Sequence, residues 1–157
     1  MNLRTSYAKF EHLAAGLQSP LLLVIRLYWG WQFFRTGRGK LLHLDRTADY
    51  FASLHIPAPK LNAFLAGSTE CVCGLLLLVG LFARAASVPV TVTLLVAYVT
   101  ADREAFLSFF SDPDKFLGAT PFLFLLAVLL VLAFGPGRYS LDHLRDRRSA
   151  VVSRGAK

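Results

Sequence analysis

Two ionisable residues stand inside runs that are otherwise apolar. Arg26 lies in PLLLVIRLYWGWQFFRTG (residues 20–37) and Glu70 in LNAFLAGSTECVCGLLLLVGLF (residues 61–82). A charge at the middle of a bilayer costs roughly 3 kcal/mol or more, so such residues face a bundle interior, pair, or line a functional path. Counted from Gly37 and from Leu61, they lie about 16 and 13 Å below the ends of their runs, at 1.5 Å per helical residue. Antiparallel helices would bring them to similar depth. Arg26 shares a face with Gly30 and Gly37, and Glu70 with Gly67 and Gly74; glycines let helix backbones approach closely. Three readings follow. The two form an architectural ion pair that fixes register, or a polar site holding a quinone head group or an exchangeable proton, or Glu70 is unpaired and kept neutral by burial. Tyr98, near the outer end of a later run, belongs either to the same cavity as Glu70 or to an aromatic belt at the membrane surface.

The remaining polar candidates carry less chemistry. Arg35, Arg38 and Lys40 form a basic cluster with His43 just beyond the first run. Such a cluster contacts lipid head groups, or docks an anionic substrate or a partner protein. His43 and His55 flank a short amphipathic stretch, but Asp45, Asp49, Asp112 and Asp114 stand at no recognisable ligand spacing, so no metal site is expected. None of the four histidines lies within an apolar run, which disfavours paired axial haem ligands. Cys71 and Cys73 are two residues apart, on nearly opposite sides of a helix. They read as small packing residues rather than as a redox pair. Nucleophilic triads and phosphate-cradling glycine loops are absent from the sequence. Gly135-Pro136-Gly137-Arg138 reads as a helix stop.

The elements that must position these residues follow from composition. The chain has 157 residues, of which 55% are hydrophobic and 17% charged. Its mean hydropathy is +0.50. The charged share is well below the roughly 25% of a soluble domain. A bilayer-spanning helix needs about 20 apolar residues. Four runs qualify or nearly so: about 20–37, 61–82, 85–101 and 119–134. The expected fold is all-α: a polytopic, four-transmembrane-helix antiparallel bundle with two short interfacial segments, at 38–60 and 102–118. Pro20 fits the first turn of the first helix, and Asp45 or Thr47 fits the cap of the outer interfacial helix. Ala83 and Arg84 alone connect the second and third runs, so these form a tight hairpin. Pro89 kinks the third helix or lies in its first turns.

Three regions are expected: a cytoplasmic amphipathic N-terminal segment (1–19), a four-span membrane domain (20–142) and a basic cytoplasmic tail (143–157). The net charge of +7 in so apolar a chain reads as a topology signal and as attraction to anionic lipid, with no nucleic-acid partner. With four spans, the side holding both termini carries nine Lys and Arg and the other seven, while six of the ten acidic residues fall on that second side. Both termini are therefore expected in the cytoplasm. No cleavable signal peptide is visible.

The segments FFRTGRGK, HIPAPKLNAFLAGSTECVCGLLLLVGLFARAAS and GPGRYSLD resemble the DoxX family of small bacterial four-helix membrane proteins, over about residues 20–142. The matching residues are Gly37 and Lys40, then Glu70, Gly74, Gly80, Leu81 and Arg84, then Gly135 to Asp142. Where the family often has a second small residue beside the one matching Gly74, this chain has Cys73. The resemblance implies the bacterial cytoplasmic membrane and a redox-associated subunit. One branch of the family resembles a subunit of thiosulfate:quinone oxidoreductase, and others are linked to oxidoreductase assemblies in oxidative-stress defence. On that reading a quinone is the expected cofactor, with nothing bound covalently. The partners would be the lipid bilayer, a membrane or peripheral oxidoreductase and, left open by the sequence, a second copy of the chain. The alternative is a non-catalytic scaffold or assembly factor. A transporter is disfavoured, since no internal repeat is visible.

Overall fold

The computed structural model describes residues 3–147; Arg148, Arg154 and Lys157 of the basic tail lie outside the described residues. All regular structure among these residues is helical. The elements are α1 (Leu3–Leu42), α2 (Leu44–Ser53), α3 (Pro59–Val79), α4 (Ala83–Thr100), α5 (Arg103–Leu107), α6 (Pro113–Gly118) and α7 (Thr120–Phe134). Three helices are long and apolar enough to cross a membrane, over Leu13–Leu42, Pro59–Val79 and Ala83–Thr100. The fourth apolar helix, α7, has 15 residues, about 22 Å of rise against a hydrocarbon layer of about 30 Å.

Several boundaries differ from those expected. Helix α1 does not begin at Pro20 but runs through it, from Leu3 to Leu42. Polar GRGK also stays helical, because backbone hydrogen bonding does not stop where hydropathy does. The N-cap of α2 is His43, with no side-chain cap, rather than Asp45 or Thr47. Thr47 instead turns its hydroxyl back to the His43 carbonyl at 3.0 Å. The hairpin turn is Gly80-Leu81-Phe82, and Ala83 and Arg84 already belong to α4. Gly80 has φ +71°, and the Leu81 N–H reaches back to the Leu76 carbonyl at 3.0 Å, the geometry of a glycine-terminated helix end. Pro89 sits inside α4 at its seventh position.

The tightest contact joins α1 to α3. A Cβ built on Gly30 would lie 2.9 Å from the Gly74 carbonyl oxygen, and one on Gly74 would lie 2.6 Å from the Phe34 nitrogen. Seven residues further along α1, a Cβ on Gly37 would lie 2.6 Å from the Gly67 carbonyl oxygen. The helices are thus antiparallel, with backbones touching at two points one heptad apart. The apolar core forms beside this seam from Phe33, Leu77, Ala83, Ala86, Val90, Val128 and Val131, with Trp29 and Phe124 packed against it. It joins α1, α3, α4 and α7.

The seam predicts opposite outcomes for two glycines of α1. Gly37→Val should lower the melting temperature in mild detergent, since overpacking costs about 1–3 kcal/mol. Gly39, two residues from Gly37 and so on another face of α1, with nothing within 4 Å of an added Cβ, should accept alanine with a gain of about 0.5–1 kcal/mol. Thermal unfolding of both variants checks the assignment. Equal loss in the two would place the contact elsewhere.

Candidate functional site

The glycine register decides where the buried charges go. With Gly30 against Gly74 and Gly37 against Gly67, Glu70 lies opposite the Phe33–Gly37 stretch, and Arg26 opposite the end of α3. Arg26 and Glu70 are therefore separated by about 12 Å along the helix axis, eight residues at 1.5 Å. They do not pair. The expectation of similar depth fails because it measured depth from the edges of the apolar runs. The true fixed points are the glycine contacts.

Arg26 is 1% exposed and belongs to the end of the bundle that holds the α3–α4 turn. Its guanidinium donates to the carbonyl oxygens of Leu77 at 3.4 Å and of Tyr139, while Nε has no partner among the described residues. It occupies the space where a side chain on Gly80 would stand. Around it the segment after α7 closes like a clasp. The Asp142 carboxylate accepts the N–H groups of Phe82 at 2.8 Å and Ala83 at 3.0 Å, capping α4, where a negative charge meets the positive helix end. The Asp142 N–H donates to the Gly80 carbonyl at 3.0 Å. Arg84 donates to the Ala133 carbonyl at 3.1 Å near the end of α7, and the Arg145 guanidinium lies over the Phe82 ring.

Glu70 is 5% exposed, near the opposite end, and its partner is Lys40. The ammonium lies 2.5 Å from Oε1, and the Thr36 hydroxyl lies 3.2 Å from Oε2. Lys40 falls three residues after Gly37, on the face that the seam turns toward α3. Of the basic cluster, it alone points inward; Arg35 and Arg38 are exposed. This Lys40–Glu70–Thr36 group lines a cavity of about 710 Å³. Phe33 and Phe124 wall it toward the core, Tyr50 and Phe51 of α2 cover it, and Arg46, Asn62, Thr69, Thr100 and Asp102 add polar groups.

Tyr98 takes no part in this cavity. It is 1% exposed, donates its hydroxyl proton to the Phe116 carbonyl, and stacks on the Phe116 ring at 5.2 Å. It fastens α4 to α6 and is not a belt residue at the surface. Thr100, two residues on, does line the cavity. Cys73 is buried in the core and Cys71 half-buried; both are free thiols. His43 and His55 are exposed, and no three His, Cys, Asp or Glu side chains converge among the described residues. At the start of α2, Asp45 accepts from Lys60 of α3 at 2.8 Å, and that bond and charge hold its carboxyl below the usual range.

Sequence reading missed Lys40 as the partner of Glu70, and missed the contribution of α2. A signal for the first was present: Gly30, Gly37, Gly67 and Gly74 repeat at seven residues in both runs. Pairing them in opposite sense puts Glu70 beside Thr36 and Lys40.

The DoxX family model matches residues 21–103. The chain belongs to the DoxX family. The match covers α1 from Leu21 onward, the cavity-covering α2, α3 and α4, so it includes the glycine seam and every member of the Lys40–Glu70–Thr36 group. A relative, an uncharacterized membrane protein of Mycobacterium tuberculosis, is 33% identical over 144 residues, covering 84% of this chain and 85% of its own length. No solved structure matches the chain with significance.

A double-mutant cycle tests the observed pairing. Lys40→Met and Glu70→Gln should couple by about 0.5–3 kcal/mol, as contacting residues do. Arg26→Leu and Glu70→Gln should add without coupling. Unfolding in detergent supplies the three free energies for each cycle. A coupling that appears between Arg26 and Glu70 instead would reject the register.

Proposed function

We propose that this protein is a membrane subunit of a quinone-linked redox system, and that the cavity between α1, α2, α3 and α4 takes the quinone head group. The observation that carries this reading is a three-residue polar group at the end of a largely apolar cavity. Its volume falls within the roughly 300–1,000 Å³ of small-molecule sites, which combine apolar walls with a few fixed polar groups. Lys40 has three N–H donors and spends one on Glu70, leaving donors for a carbonyl oxygen. Glu70 holds the Lys40 side chain in position, and Thr36 bonds the second carboxylate oxygen. Phe124, partly exposed at the cavity wall, offers aromatic surface to a flat head group, backed by the buried Phe33 ring. A bound quinone would supply two-electron chemistry, with electrons exchanged through a partner oxidoreductase or a soluble sulfur compound.

The same proposal sets the chain in the bacterial cytoplasmic membrane with four spans and both termini inside. The support for a fourth span is the path of α7. One of its ends is tied to α4 through Arg84 and Ala133, and the residue run just before its other end is tied to Tyr98. It therefore runs alongside α4 for most of that helix. A short span is accommodated by local thinning of the bilayer at modest cost. A Cys at exposed Ser53 or Ser111, in a Cys71→Ala, Cys73→Ala background, should react with a membrane-impermeant thiol reagent on intact cells. A Cys at residue 150 should react only after lysis. The reverse pattern inverts the topology.

A non-catalytic scaffold is the second reading. It is favoured by the saturation of the buried charges: Arg26 spends its terminal nitrogens on backbone carbonyls, and Glu70 engages both oxygens internally. Binding separates the readings. Titration of purified protein with a short-chain ubiquinone or menaquinone analogue, followed by calorimetry, should show saturable binding that Lys40→Met weakens at least tenfold. Absence of binding by the unaltered protein would leave the scaffold as the better account.

A further inference from the structure

We propose that the cavity opens sideways into the hydrocarbon layer through the seam between α3 and α4, so that its ligand enters chain-first from the bilayer rather than from water. The inference rests on the reading of this cavity as a quinone site, and it adds to that reading the isoprenoid chain as the part that occupies the seam.

Helices α3 and α4 leave a three-residue turn as close neighbours. Near the turn they share the core through Leu77, Ala83, Ala86 and Val90, all buried. Beyond Val90 the cavity lies between them, and each flank there carries exposed apolar side chains. Leu65 of α3 is 50% exposed, and Val92 and Val96 of α4 are 56% and 48% exposed, yet all three also line the cavity. A residue that faces both the cavity and the outside marks a gap. Leu65 lies between Gly67 and the start of α3 at Pro59, and Val92 lies in the middle of α4, so both belong to segments that qualify as membrane spans. At that level the outside is lipid.

Apart from Asn62, Thr69 and Glu70 of α3 and Thr93 and Thr100 of α4, the cavity's polar groups lie on elements other than the two that flank this gap. Lys40 and Thr36 project from α1, across the cavity from the α3–α4 seam, and Arg46 and Thr47 belong to α2, which covers the cavity's end. A ligand whose polar head reaches Lys40 therefore leaves its apolar remainder pointing at Leu65, Val92 and Val96. That polarity suits a head group joined to an isoprenoid chain. The chain stays in contact with hydrocarbon along its whole path, so no apolar surface has to cross water.

The test needs no bound quinone. Phe124 faces the cavity, and Phe124→Trp in a Trp29→Phe, Trp31→Phe background places one fluorophore inside it. The protein is reconstituted in vesicles of phosphatidylcholine brominated along the acyl chain, and separately in ordinary phosphatidylcholine with aqueous iodide. Quenching by the bromolipid should exceed quenching by iodide at least threefold. Leu65→Phe with Val96→Phe should narrow the gap and reduce the bromolipid quenching by half or more. Phe51→Trp, on the α2 wall, serves as a second reporter should the first disturb packing. Iodide quenching above bromolipid quenching, or bromolipid quenching unmoved by the two phenylalanines, overturns the proposal. Failure of the quinone reading looks different: the gap signal persists while quinones of every chain length fail to bind.

Discussion

Backbone contact between α1 and α3 is the constraint on which the rest of this structure depends. In a bilayer, apolar side chains gain nothing by leaving lipid for one another, so association relies on close packing and on polar bonds. Gly30, Gly37, Gly67 and Gly74 remove the side chains that would hold the backbones apart. Two contacts one heptad apart fix rotation and translation together. A slip by one turn would drive a side chain into a carbonyl oxygen at both points. The depth of every polar residue on both helices is set by that register.

The consequence is a division of the buried charges between two ends of the bundle. Arg26 falls at the turn end, where helix α3 exposes its last carbonyl oxygens and the chain after α7 returns. Those acceptors are what a guanidinium can bond without a carboxylate in contact. Glu70 falls near the other end, within reach of a lysine from the last turn of α1. Each charge is placed where local backbone or side-chain chemistry satisfies it. Neither needs the other, although a pairing drawn from run lengths alone would join them.

The helical layer was legible in the sequence because hydropathy reports it directly: the runs around 61–82 and 85–101 match α3 and α4 to within a few residues. The register was not legible from the same signal. Hydropathy edges mark where side chains change character, whereas GRGK beyond Gly37 and the residues before Pro20 remain helical. Depth counted from such edges is wrong by several residues, enough to pair Arg26 with the wrong partner. Lys40 was placed with Arg35 and Arg38 because the three are close in sequence, but they lie on different faces of one helix. Tyr98 was assigned by its distance from the end of a span; its environment is set by Phe116, eighteen residues on, through a contact no local pattern encodes. The covering of the cavity by α2 is tertiary in the same sense.

The two ends of the bundle also differ in how they are closed. At the turn end, Asp142 caps α4, Arg84 bonds a carbonyl of α7, and Arg26 ties α1 to α3 and to the segment after α7. Each bond crosses between elements, so the end is held as one piece. At the other end α2 rests over α3, with Lys40 and Glu70 as the bond between α1 and α3, and α4 is fastened to α6 through Tyr98. Among the described residues, no side-chain hydrogen bond or ion pair at that end ties α3 to α4. A hairpin locked at its turn and unlinked at its tips diverges unless side chains fill the wedge. Leu65, Val92 and Val96 do not fill it, since each remains about half exposed. The cavity is therefore a product of where the cross-links are: the clasp concentrates them at one end, and the open volume collects at the other, against the Lys40–Glu70 pair, whose carboxylate is buried and whose ammonium is partly exposed.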